Sequence, residues 1–251
     1  MTHPPPDLHP AWPQLRTAGV SSYVVSFADS LSEPANRAAL AFRAAVDRMQ
    51  WAGLEESSTS LVSTYLRYDP AWTDHHAMRT RLVDLLTTQN WFEAPLPEGR
   101  KLWHVPTVFG TDLAPQLAET AKAAGRSEAQ AISEVTQNPL RVQTIGFAPG
   151  QPYLGELPAN WDIPRQTALT PRVPSGALTV AIRQVVLFSV SAPTGWHHIG
   201  QTAFPLFRPD ADQPFLLRVG DEVQFKPVSR DVFETLRTQE PLAGAWSDPL
   251  P

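Results

Sequence analysis

Polar and apolar positions follow two rhythms along the chain, and the rhythm changes after Asn138-Pro139. In the first part strand-like and helical stretches alternate. "GVSSYVVSFAD" (19–29) is rich in β-branched and aromatic residues and predicts a strand. "SEPANRAALAFRAAVDRMQW" repeats Ala39, Phe42, Val46 and Met49 at helical spacing, with Ser32 as N-cap and Pro34 in the first turn. "STSLVSTYLRYDP" sets Leu61, Ser63 and Tyr65 against Val62, Thr64 and Leu66, which predicts one strand ended by Asp69-Pro70. "WTDHHAMRTRLVDLLTTQ" carries Met78, Leu82, Leu85 and Leu86 on one helical stripe. This order indicates an α+β unit of the ferredoxin-like kind, with "KLWHVPTVF" adding a strand near its end.

Two further helical stretches follow, "DLAPQLAETAKAAG", ended by Gly125, and "SEAQAISEVTQN", capped by Ser127 with Glu128 at its N-terminus. Beyond Pro139 the runs are short and β-like: "LRVQTIGF", "GALTVAI", "QVVLFSVS", "HHIGQTAFPLF" and "DEVQFKPV", separated by Gly, Pro and Asp. Strands at regular spacing with turns between them predict a barrel or a sandwich. The expected organisation is an arm over residues 1–18, an α+β domain over 19–100, a β domain over 101–235 and a tail over 236–251.

Composition narrows the function more than the fold. The balance of 25 acidic against 20 basic residues, net −5, argues against nucleic acid and anionic membrane as partners. There are no cysteines, so neither disulfides nor thiolate chemistry is available to the chain, in keeping with a reducing compartment. The start "MTHPPPDLHPAWPQL" has no signal-peptide pattern and no run of 18 apolar residues occurs, so a cytoplasmic location is expected. The 26 prolines are spread among short apolar runs, at about twice the ordinary share of about 5%.

Candidate chemistry is sparse. No histidine pair has metal-ligand spacing, so no metal is expected, and no GxSxG, Walker or GxGxxG motif is present. "GFAPGQPYLG" (146–155) is a stiff loop around Phe147 and Tyr153, either a corner between strands or the wall of a site. In "GWHHIG" a strand would turn His197 and His198 to opposite sides, one inward and one outward. One imidazole could then move a proton near neutral pH; the plainer alternative is one solvent histidine and one satisfied by the backbone. Arg165 and Arg172 lie in the proline-stiffened "DIPRQTALTPRVPSG", suited to holding a carboxylate or phosphate, or else are two surface arginines.

The order of these motifs is more specific than any one of them. "IGFAPGQPYLGEL", "IPR", "RVPSG", "PTGWHHIGQT", "FPLFRPD" and "LLRVGDEVQF" together resemble the allophanate hydrolase subunit 1 family, also called the KipI or 5-oxoprolinase B-subunit family, over about residues 20–230. The resemblance implies a ferredoxin-like N-terminal domain followed by a cyclophilin-like β-barrel. It implies a KipA-type partner subunit, a further LamB/YcsF-type subunit, and ATP as cofactor. The sequence departs from the family pattern at several positions: Gln151 stands for Phe, Glu156 for Gly, Glu134 for His and Gln201 for the Arg of the IGRT motif. The stretch "IRQVV" keeps only Gln184 of a GGQTG turn.

The function expected from the resemblance is that of a subunit of an ATP-dependent amide or lactam hydrolase, inactive alone. Arg165 and Arg172 would hold a carboxylate or phosphate and His197 would carry a proton, these three being the catalytic candidates. Phe147, Tyr153, Gln184 and Trp196 would line the substrate site. The alternative is a non-catalytic regulatory protein of the kinase-inhibitor type, which needs a surface and no reaction centre.

Overall fold

Small side chains decide how the first unit packs. Helix α1 (Glu33–Met49) buries Ala35, Ala38, Ala39, Ala41 and Ala45 beside Phe42 and Val46. With so little side chain in the way, helix and sheet backbones lie close, and the Thr64 hydroxyl donates to the Ala39 carbonyl at 2.9 Å. The computed structural model describes residues 12–250, and the chain divides into two units, 1–97 and 98–251. No helix among the described residues is long and apolar enough to cross a membrane.

The sheet of the first unit contains β1 (Gln14–Thr17), β2 (Ser22–Ser26), β3 (Leu54–Ser60) and β4 (Ser63–Tyr68) in the order β1-β2-β4-β3, all antiparallel. Helix α2 (His75–Leu86) follows β4, N-capped by the Asp74 carboxylate accepting from the Ala77 N–H. Phe42 meets Trp91 edge-on at 5.1 Å in the core. Three expectations are corrected here. "STSLVSTYLRYDP" is not one strand but the hairpin β3–β4, turning at Leu61 and Val62. Gln14–Thr17, read as arm, is the edge strand β1; residues 1–11 of the arm lie outside the described residues. "KLWHVPTVF" belongs to the second unit, not the first.

The hairpin escapes notice because its turn uses the wrong residues. Leu61 holds φ at +52°, a region usually left to Gly or Asn, and Asn36 on α1 donates to its carbonyl at 2.6 Å. The strand β3 is also almost entirely polar, so it has no hydrophobic alternation to read.

The second unit is a closed barrel of seven strands: β5 (Lys101–Phe109), β6 (Leu140–Ile145), β7 (Pro152–Gly155), β9 (Ala177–Ala181), β10 (Gln184–Leu187), β12 (His197–Gln201) and β13 (Glu222–Pro227). Their order is β12-β9-β10-β7-β6-β13-β5, and β5 returns to β12 through Val108 and Phe109. Only β13 and β5 run parallel. Val105, Val142, Leu154, Leu178, Ile199 and Phe225 belong to its core. A short ribbon, β8 (Thr170–Val173) with β11 (Ala192–Thr194), stands apart from this sheet. Helices α3 (Leu117–Ala123) and α4 (Glu128–Gln137) supply Leu117, Ala121, Ala131 and Val135 to the same core.

The stretch expected to be a tail is structured. Helix α5 (Arg230–Gln239) starts at Ser229, whose hydroxyl accepts from the Val232 N–H, and β14 (Trp246–Pro249) pairs with β5 at Lys101–His104. Pro106 falls between the β14 and β12 pairings on β5, where a missing N–H costs least. The β9–β10 turn keeps positive φ at Ile182 (+45°) and Arg183 (+62°) without any glycine. Their N–H groups donate to the carbonyls of Ile163 (2.8 Å) and Trp161 (2.9 Å), which hold the strained turn in place.

Candidate functional site

Residues 165–173 line two cavities in the barrel unit. The smaller, about 260 Å³, is walled by Phe147, Gln151, Tyr153, Arg165, Leu169 and Trp196. Its rings are arranged edge to face, Tyr153 against Trp196 at 6.1 Å, and the Arg165 guanidinium sits over the Trp196 ring at 5.1 Å. The stretch is a wall, but only its first part is loop: Pro152–Gly155, expected as loop, is strand β7, paired with β6 and β10. Gly150, at φ +71°, has no room for a Cβ, which would stand 2.5 Å from the Leu206 carbonyl oxygen. Phe147, at φ +72°, is 73% exposed at the mouth.

The larger cavity, about 660 Å³, takes Arg172, Gln116, Thr170, Ser175, His198 and Gln201, with Phe233 and Arg237 from α5. His198 and Gln201 are three positions apart and would face opposite ways on a regular strand. A register shift between His198 and Gly200 in β12 lets them share a face. Gln201 donates through Nε2 to the carbonyls of Ser175 (2.8 Å) and Thr202 (2.9 Å), which fixes which end of its amide is nitrogen. Its Oε1 and the His198 Nε2 are both buried. Burial pushes the His198 pKa below its ordinary value, and hydrogen bonding to the Gly200 backbone and the Gln201 side chain opposes this.

A pair of glutamines joins the two cavities. Gln116 donates to Gln166 Oε1 at 2.8 Å, and Gln166 Nε2 donates to the Trp196 carbonyl at 2.9 Å. Gln116 Oε1 accepts from the His198 N–H at 2.7 Å. Trp196 and His198 are therefore braced through one amide network, although they line different cavities.

The residues picked out in the sequence are divided by this arrangement. Phe147, Tyr153, Arg165 and Trp196 come together in the smaller cavity, and Arg172 lines the larger. Arg172 Nε donates to Ser191 Oγ at 2.7 Å. His197 and Gln184 line neither cavity: His197 Nε2 donates to the Pro164 carbonyl at 3.0 Å, and Gln184 Nε2 donates to Gln143 Oε1 at 3.0 Å inside the barrel. The expected inward and outward histidines are both buried, at 8% and 5% exposure. Glu134, which stands where the family has histidine, receives Arg126 (2.5 Å), Asn160 (3.0 Å) and Trp161 Nε1 (2.8 Å). Burial works to raise its carboxyl, and those three hydrogen bonds together hold it below the usual range. It clamps Trp161 and lines neither cavity. Gln116 has no motif to announce it; His198 and Gln201 lie within the PTGWHHIGQT motif, which does not tell that they share a cavity.

Besides Arg172 and the His198 imidazole, the larger cavity is lined by Gln116, Thr170, Ser175 and Gln201 and by two carboxylates, Glu234, paired with Arg237 at 2.6 Å, and Asp112, paired with Arg230. Arg172 beside two carboxylates suits a small polar molecule with one anionic end, and does not suit a triphosphate. Among the described residues, no group of three His, Asp or Glu side chains is placed to hold a metal ion.

Known proteins share both the sequence and the architecture. The family described as carboxyltransferase domain, subdomain C and D, matches residues 13–217. The B subunit of 5-oxoprolinase from Bacillus subtilis (strain 168) is 28% identical over 233 residues, 90% of this chain and 97% of its own length. The protein of that name from Escherichia coli O157:H7 is 37% identical over 147 residues, 57% of this chain and 67% of its own length. The solved structure of TTHA0988 is similar at a TM-score of 0.69 and 29% identity; the match covers 86% of this chain but 40% of TTHA0988.

Proposed function

The chain belongs to the carboxyltransferase subdomain C and D family, with the B subunit of 5-oxoprolinase among its relatives, and from that premise we propose that it is one subunit of an ATP-dependent amide or lactam hydrolase. The observation that carries the reading is the larger cavity, where Arg172, His198 and Gln201 converge. A hydrolase of this class has to hold a weakly electrophilic amide still while its carbonyl oxygen is activated and water attacks. Arg172 would bind the substrate's anionic end, and His198 and Gln201 would meet its amide. Arg165, fixed over Trp196, would serve a second anionic group in the smaller cavity. His197, bonded to Pro164, would act by positioning the 164–166 segment and not by carrying a proton itself. The nucleotide finds no matching donor set here, so ATP would be bound by a KipA-type partner or a LamB/YcsF-type subunit. The fold expectations accompany this reading: a ferredoxin-like first unit whose edge strand is β1, and a cyclophilin-like barrel.

The apolar filling of the barrel itself, by Val105, Val142, Leu154, Leu178, Ile199 and Phe225, favours the regulatory alternative, whereas the cavity beside it, with Arg172, Gln116 and His198 on its wall, favours the enzyme. The test is to purify this chain with KipA-type and LamB/YcsF-type subunits and measure ATP hydrolysis with and without 5-oxoproline. Stimulation that needs all the chains is the expected result. A chain that forms no complex and remains a monomer would overturn the reading in favour of a stand-alone binding protein.

A further inference from the structure

Gln116 stands at the N-cap of α3, where a Ser, Thr, Asp or Asn would ordinarily accept a backbone N–H of the first turn. Its side chain makes no such bond. It is spent on His198 instead: Gln116 Oε1 accepts the His198 N–H at 2.7 Å, and the Gln116 N–H donates to the His198 carbonyl at 3.1 Å. A neighbouring strand would hold His198 in this way, but β5 pairs with β12 only at Gly200 and Gln201. Gln116 takes the place of the missing strand.

The bonds that follow have one permitted sense. Because Gln116 Oε1 accepts from His198, its nitrogen has to donate, and it does so to Gln166 Oε1 at 2.8 Å. Gln166 Nε2 then has to donate, and it reaches the Trp196 carbonyl at 2.9 Å. Turning either amide over would set oxygen against oxygen. Meanwhile the 164–166 segment follows 195–197 residue by residue. The Gln166 N–H donates to the Gly195 carbonyl at 2.7 Å, Arg165 lies over the Trp196 ring, and the Pro164 carbonyl accepts from His197 Nε2 at 3.0 Å. His198, next in line, is reached through Gln116.

We propose that Gln166 is a positioning residue for the larger cavity: standing in the wall of the smaller one, it sets His198 through Gln116, by a hydrogen-bond relay of fixed direction. A change in the smaller cavity is then felt in the larger, although the two share no lining residue. The claim rests on the larger cavity being the working site, as in the hydrolase reading, and adds how that site is held.

The test is hydrogen exchange of the full chain followed by NMR at the His198 backbone amide, with the Phe225 amide in β13 as the internal reference for global opening. Gln116→Ala should speed exchange at His198 about tenfold relative to Phe225, the loss of one hydrogen bond. Gln166→Ala leaves the acceptor of that N–H in place, yet should speed it about fivefold. The double variant should exchange no faster than Gln116→Ala alone, because the second residue acts only through the first. Gln116→Glu removes the donor to Gln166, and Gln166→Lys sets an ammonium against the Gln116 nitrogen; each alone should speed exchange about fivefold. Combined, they place a carboxylate to accept from His198 and an ammonium to donate to Trp196, and should return the rate to within about twofold of native. An unchanged His198 amide in Gln166→Ala would overturn the inference. So would effects that multiply in the double alanine variant, equal acceleration at Phe225, or a charged pair that exchanges as fast as its single variants. Turnover enters none of these measurements, so failure of the reconstituted complex to act on 5-oxoproline would count against the hydrolase reading alone.

Discussion

The two cavities of the barrel unit are built from the same stretch of chain and solve opposite problems. The smaller is an aromatic enclosure whose one charge, Arg165, is already engaged over Trp196. The larger keeps Arg172 at its rim with His198 and Gln201 buried on its wall. In the smaller the one cation is spent on an aromatic ring, and in the larger a cation is left beside polar side chains. The Gln116–Gln166 pair lets the first brace the second without filling it.

That contrast can be broken most severely at Gly176. With φ at +80° and a Cβ position 1.9 Å from the Thr202 oxygen, Gly176→Ala should lower unfolding free energy by about 3 kcal/mol or more in urea denaturation. The next effect separates the two arginines. In the reconstituted complex Arg172→Ala should reduce kcat/KM about ten- to a hundredfold with little change in the denaturation midpoint. Arg165→Ala should instead cost about 1 kcal/mol of stability, for the lost contact with Trp196, and less than about fivefold in kcat/KM. The reverse ranking would move the site to the smaller cavity.

The smallest effect is one of pH. Burial lowers the His198 pKa in the folded state below the ordinary 6.5. Below about pH 6.5 the unfolded chain takes up this proton and the folded chain resists it. The associated stability is therefore complete above pH 6.5 and is lost as pH falls toward the folded value. Denaturation midpoints measured from pH 7.5 to 5 should fall more steeply for the native chain than for His198→Asn.

Much of the fold was legible because its elements follow ordinary rules. Helix α4 shows both its start and its register in the sequence, with Ser127 and Gln130 forming a reciprocal capping box. The barrel strands β9 and β10 are largely apolar or β-branched runs. The elements that escaped are those whose local chemistry contradicts their structure. The β3–β4 turn, which escaped, puts Leu61 at positive φ; the β9–β10 turn does the same with Ile182 and Arg183, although the runs on its two sides already read as separate strands. Each is held by hydrogen bonds from distant residues, Asn36 in one case and the 161–163 backbone in the other. Helix α5 buries only Phe233 fully, too little apolar stripe to stand out in a charged stretch.

The site divides along the same line. Sequence alone determined helices α1 to α4, most of the barrel runs and the family to which the motif order points, since each depends on neighbouring residues or on their order. Tertiary structure alone decided which side chains share a cavity. The register shift in β12 puts His198 and Gln201 on one face, barrel closure brings that face beside Arg172, and the carbonyls of Ser175 and Thr202 choose which end of Gln201 looks in. Those choices depend on strand pairing and on hydrogen bonds between residues far apart in the chain, and neither leaves a periodic trace in the order of amino acids.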